Sequence, residues 1–334
     1  IYRTAFSTDQ NISVYGNTNV GALAGLIANA QISEFKISAP EIKAIYEKSV
    51  QNGKAISVIP SGVGGLCGQV FNSTLSNNTI SSPNITSTDE GLDGCSTIST
   101  VSNYMHKVED TTDGESVPVV VNFNTINTGF GGFVGTMDSS TATKEAIETN
   151  KISDLNLNAT LGVNVGGFYG YVNAEITGTG TQKLLKTPKA DSGESGVFNI
   201  NGAYNIGSVA GNVHLPSTSG LTAEFLSTDV TTDGQVKVIL QDQAIGMYVG
   251  GLFGVVKADN LKLSINNSTN FKVMIYTDSS YYMGGLVGRW NATGATPTFT
   301  GDVGDKAETG LVTSSAITSV LSAQEFGGMI GILK

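Results

Sequence analysis

A six-residue phrase recurs along the chain: an apolar residue, two small residues, two apolar residues and glycine. It is clearest as Val249-Gly250-Gly251-Leu252-Phe253-Gly254, and returns as Met283 to Gly288 and Phe326 to Gly331. With the first glycine of each copy as origin, the copies begin at Gly21, Gly64, Gly131, Gly166, Gly207, Gly250, Gly284 and Gly327. Successive spacings are 43, 67, 35, 41, 43, 34 and 43 residues, a unit of about 40 with one long member. Self-similarity at such an interval marks a repeat architecture, in which a unit that cannot bury its own apolar face stacks on its neighbours.

Alignment of the copies shows which positions are restricted. The residue before the origin is Val20, Val63, Phe130, Val165, Ile206, Val249, Met283 or Phe326, and the third position is equally apolar. The fifth position is always glycine: Gly25, Gly68, Gly135, Gly170, Gly211, Gly254, Gly288 and Gly331. The seventh is apolar again, from Ile27 to Leu333. The pattern reads as a strand with one face turned inward, carrying glycine where a neighbouring backbone leaves no room for a Cβ. Glycine costs roughly 0.5–1 kcal/mol relative to alanine inside a strand, so its repetition calls for a packing reason.

Each unit carries further β-rich runs, among them Val117 to Phe123, Val236 to Leu240, Phe271 to Ile275, Leu261 to Ile265 and Ile32 to Ile37, separated by polar turn clusters. The expected fold is all-β: one repeat domain over 1–334, a right-handed parallel β-helix or β-solenoid of about eight glycine-rich units. One or two short helices are expected in loops. Pro40 to Lys48 has an early proline, Ile42, Ile45 and Tyr46 at i, i+3 and i+4, and Gly53 beyond its end; Thr143 to Glu148 is the second. The long unit is expected to carry an insertion at about 83–116, rich in Ser, Thr, Asp and Glu.

The phrase resembles the GLUG motif, a repeat of bacterial surface and secreted proteins that include adhesin-like proteins and streptococcal IgA-specific metalloendopeptidases. Gly250 to Gly254, Gly284 to Gly288 and Gly327 to Gly331 match best, and Ala22 and Ser208 depart at the second glycine. The resemblance implies architecture and a surface setting, and it transfers no catalytic residue.

Composition and motifs narrow the chemistry. The formal net charge is −10 and the only arginines are Arg3 and Arg289, which offers nothing to a phosphate backbone, so no nucleic-acid partner is expected. No apolar run reaches the ~20 residues of a membrane span, so membrane insertion is not expected either. The two histidines, His106 and His214, stand in unrelated contexts and exclude a His-Glu-x-x-His zinc site within this stretch. The glycine phrase lacks both a P-loop lysine and the Gly-x-Gly-x-x-Gly spacing, and no cofactor or metal site is expected. The acidic clusters Asp89, Glu90, Asp93 and Glu109, Asp110, Asp113 read as solvated loops. Cys67 and Cys95 form a disulfide candidate: they bracket much of the long unit, although Cys67 also fits a buried core position, and the closed loop would be worth roughly 3–4 kcal/mol in the entropic account.

These features point to a non-enzymatic extracellular or cell-surface protein, a β-solenoid segment of a fibre, stalk or adhesin. Its expected partners are a second copy stacked end to end or further domains of a longer chain, together with a glycan or host-surface ligand. The alternative is a β-helix polysaccharide lyase or glycosidase, which would need paired carboxylates or a carboxylate-bound cation.

Overall fold

In a computed structural model of the chain, the phrases lie on one another coil by coil. The structure describes residues 12–45, 47–51, 54–58, 60–88, 95–100, 105–110, 117–122, 129–139, 150–159, 162–174, 180–186, 197–202, 204–215, 221–226, 236–242, 246–258, 262–265, 271–276, 280–291, 298–301, 323–327 and 330–333. Three long parallel sheets run along the stack. Sheet A has seven strands, from Ser13–Gly16 to Phe271–Tyr276. Sheets B and C have eight each, from Thr18–Gly21 to Ala323–Gly327 and from Ala24–Ala28 to Ile330–Leu333. The fold is an all-β, parallel β-solenoid.

The phrase is not a single strand, as its alternation suggests, but a corner. Its apolar residue and first glycine end a strand of sheet B, the next two residues form a bend, and the fourth position opens a strand of sheet C. The bend is itself bonded from coil to coil. The third-position N–H groups of Leu66, Phe133, Phe168, Val209 and Leu252 donate to the third-position carbonyls of the next coil at 2.8–3.0 Å. This ladder satisfies backbone groups that a buried corner would otherwise strand.

Register confirms that one unit is one coil. In sheet C, Ala24 pairs with Cys67, Cys67 with Val134, Val134 with Tyr169, and so on to Ile330, each phrase matched to the same position of the next. Apolar rows therefore run the length of the interior. From Val70 through Met137, Val172, Val213 and Val256 to Trp290, the seventh-position side chains are at most 5% exposed.

The remainder of an early coil is built on a five-residue beat. Ile27, Ile32, Ile37 and Ile42 turn inward in the first coil, as do Val70, Leu75, Ile80 and Ile85 in the second. Two residues after each of the first three in both series lies a corner in the left-handed region: Asn29, Glu34 and Ala39, then Asn72, Asn77 and Ser82, with φ between 42° and 64°. Inside one of these corners runs a buried amide ladder. Asn78 Oδ1 accepts from the Phe35 N–H at 3.0 Å, Asn78 Nδ2 donates to Ile32 O at 3.1 Å and Asn150 Oδ1 at 2.9 Å, and Asn150 Nδ2 donates to Leu75 O at 2.7 Å.

Two expectations are corrected. Pro40 to Lys48 is not helical: Glu41–Ile45 is a sheet A strand paired with Ser13–Gly16 and Asn84–Thr88, and Glu47–Gln51 is one arm of an antiparallel hairpin with Lys54–Val58. Ile42 and Ala44 are both fully buried, the two-residue period of a strand, and sheet pairing on both sides overrides the local helical spacing. The insertion also lies later than expected. Asn84–Thr88 belongs to sheet A, and the excursion is a three-stranded antiparallel sheet of Cys95–Thr100, Met105–Asp110 and Val117–Asn122. Val117–Asn122 is thus part of the excursion, unlike Val236–Asp242 and Phe271–Tyr276, which are sheet A strands. Thr143 to Glu148 lies outside the described residues.

Candidate functional site

The glycines of the phrase determine what can stand beside what. A Cβ on any fifth-position glycine, Gly25 through Gly331, would come within 3.0 Å of backbone, in most coils that of the sheet B strand leading into a phrase. At Gly288 those atoms are Gly254 O and Val249 N, both at 2.7 Å, and the Tyr248 carbonyl carbon at 2.8 Å. First-position glycines from Gly21 to Gly250 are equally closed, against the fourth-position residue of their own or the next phrase. Where serine replaces the second glycine, Ser208 is fully buried and its hydroxyl donates to Gly251 O.

The contact at Gly288 brings the next residue, Arg289 of sheet C, against Tyr248 of sheet B. Arg289 Nη1 donates to the Tyr248 hydroxyl at 2.8 Å, and the guanidinium carbon lies 5.1 Å from the ring centroid. Arg289 Nε donates to Asn291 Oδ1 at 2.8 Å. The Tyr248 ring stacks on Tyr282 of the following coil, with centroids 5.1 Å apart and planes 18° from parallel. Tyr248 is buried, while Arg289 and Tyr282 are half-buried.

Two rows of sheet C alternate with its buried seventh-position row. In the sixth-position row Asn212 pairs with Val255 and Val255 with Arg289; in the eighth, His214 pairs with Lys257 and Lys257 with Asn291. Lys257 is exposed and His214 half-buried. Three potentially cationic side chains thus share three adjacent strands of a chain whose net charge is −10.

Other residues singled out in the sequence are dispersed. Cys67 is a fully buried free thiol at the fourth phrase position, and burial pushes its pKa well above the usual thiol range. Cys95 begins the excursion's first strand and its side chain lies outside the described residues, as do those of His106, Glu109 and Asp110 on the second strand. Asp89, Glu90, Asp93 and Asp113 also fall outside them. Among the described residues no group of three or more His, Cys, Asp or Glu side chains could hold a metal ion, and no helix is long and apolar enough to cross a membrane.

The Arg289 cluster was within reach of the sequence. The aligned repeats place Arg289 at the sixth position and His214 and Lys257 at the eighth, columns whose residue type varies from copy to copy. The stacking of Tyr248 under the guanidinium, by contrast, needs the folded corner. Comparisons with protein-family models, with curated proteins and with solved structures returned no match.

Proposed function

We propose that this chain is a non-enzymatic structural and adhesive protein of the cell exterior, a β-solenoid of GLUG-like repeats that serves as part of a fibre, stalk or adhesin. The observation that carries the reading is the register. Eight phrases stack residue on residue, so the repeated sequence is used to build a long, evenly spaced surface, and only 14% of the residues are charged. Cross-coil amide pairs on that surface, Asn72 to Asn29, Asn156 to Asn84 and Asn201 to Asn158, tie neighbouring coils together with neutral groups.

Association at the coil ends belongs to the same proposal. Leu333, in the interior row of sheet C, is 54% exposed, whereas the row from Val70 to Trp290 is at most 5% exposed. A second copy stacked on this edge would cover it, and edges of this kind drive pairing.

Binding of the purified protein to glycan arrays and to immobilised host-surface proteins tests the adhesive role, and electron microscopy tests the stacking. Specific retention on one surface and regular fibres are the expected results. Turnover of a polysaccharide would overturn the reading in favour of a lyase or glycosidase.

A further inference from the structure

We propose that the Arg289 cluster on sheet C binds a carboxylate-bearing saccharide, an inference that rests on the adhesive reading and names its ligand class. Arg289 carries five N–H donors, of which Nε and one on Nη1 are engaged by Asn291 and Tyr248. These two contacts hold the guanidinium plane fixed and leave three N–H groups outside them, one on Nη1 and both on Nη2, as donors for a carboxylate.

The surroundings favour an anion. Among the described residues the one ion pair is Lys43 with Glu41, on sheet A, so no described carboxylate neutralises Arg289. Lys257 stands one strand away and two residues out of row, and His214 one strand beyond it. At ~4.8 Å between strands, the three lie within reach of a single acidic ligand laid along the stack. That interval is close to the length of one pyranose residue.

Two features select a saccharide over an acidic peptide. The strands Ala210–Leu215, Phe253–Ala258 and Val287–Asn291 are each paired on both sides, so no backbone edge is offered for strand addition. The half-buried Tyr282 ring and the short amides of Asn212 and Asn291, also half-buried, offer instead the aromatic and neutral polar groups that suit sugar rings and hydroxyls.

The test titrates the full chain with oligogalacturonate, alginate oligomers and sialyllactose at low and high salt, beside methyl-esterified oligogalacturonate, dextran sulfate and polyglutamate. At least one acidic saccharide should bind, about tenfold more tightly than the esterified, uncharged form of the same sugar where that is the ligand. Arg289→Lys keeps the charge but not the fork and should weaken binding by about fivefold or more. Lys257→Ala, at an exposed position, should weaken it by about two- to fivefold with an unchanged melting temperature. No binding to any acidic saccharide overturns the proposal, as does equal affinity for polyglutamate or dextran sulfate, or indifference to both substitutions. Adhesion to a neutral glycan or a host protein that survives Arg289→Lys would sink this site and leave the adhesive reading standing.

Discussion

Replacing Gly254 with alanine tests whether the phrase glycine is a packing device. Its Cβ would lie 2.5 Å from Ile206 N and 2.6 Å from Gly211 O, with the Asn205 carbonyl carbon closer still. Ordinary contact begins at about 3.4 Å, so backbone must separate by about 0.9 Å; none of these atoms is the end of a flexible side chain. A shift of that size stretches neighbouring ladder bonds such as Leu252 N–H to Leu286 O, 2.9 Å, beyond bonding distance. Overpacking at ~1–3 kcal/mol, with two or three ladder bonds weakened at ~1 kcal/mol each, less the ~0.5–1 kcal/mol that alanine gains over glycine in a strand, comes to about 2–5 kcal/mol. Trp290, the only tryptophan, is fully buried on the next strand and in register with Val256, so its fluorescence in a urea titration reports this coil. Gly16→Ala is the control. Its Cβ would meet only the Val20 side chain, at 3.1 Å, and it should stay within about 1 kcal/mol of wild type. Equal unfolding midpoints for the two variants would refute the reasoning.

Three further substitutions probe the coil, two in its interior and one at a corner. Asn78→Ala removes acceptor and donors from the buried ladder, leaving the Phe35 N–H and Ile32 O without that side chain, and should cost about 3 kcal/mol by denaturant titration. Tyr169 is fully buried, and its hydroxyl has no hydrogen-bond partner among the described residues, so Tyr169→Phe should raise stability by about 1–2 kcal/mol at neutral pH. Burial also raises the pKa of this phenol above its ordinary 10.0, so the folded state stays protonated while the unfolded chain ionises. Stability is therefore complete below pH 10 and falls above it by about 1.4 kcal/mol per pH unit from this group; the advantage of Tyr169→Phe should widen there, and a constant gap would contradict the assignment. Ala39, at φ 45°, sits where a Cβ is strained, and Ala39→Gly should raise the unfolding free energy by about 0.5–1 kcal/mol, read by denaturant titration, whereas Gly at an ordinary strand position would lower it.

What the sequence disclosed, and what it hid, follows from the range of the forces involved. The phrase was legible because one corner must fit one corner in every coil, so the same glycine recurs wherever Gly254 does. The path of the chain through that corner was not, because the alternation of Phe253, Gly254, Val255 and Val256 suits a strand whether or not a bend precedes it. The Pro40 to Lys48 segment misled for a related reason. Ile42, Ile45 and Tyr46 satisfy a helical spacing locally, while the beat that governs them, Ile27, Ile32, Ile37, Ile42, spans three corners and is visible only over sixteen residues. Glu34 and Ala39 concealed those corners further, since neither is a residue that advertises a left-handed backbone. Arg289 and Lys257 are 32 residues apart in sequence and become neighbours through register alone.

The central claim, that each unit is one coil of a parallel in-register stack, is tested most directly by pulsed electron-spin distances along the eighth-position row of sheet C. One label is held at Ala28 and the second placed at His214, Lys257 or Asn291, which register puts four, five and six strands away. At ~4.8 Å per strand the backbone separations should be about 19, 24 and 29 Å, rising by one equal step per coil. Distances that do not rise in equal steps, or a value for Asn291 at or below that for His214, would contradict the account.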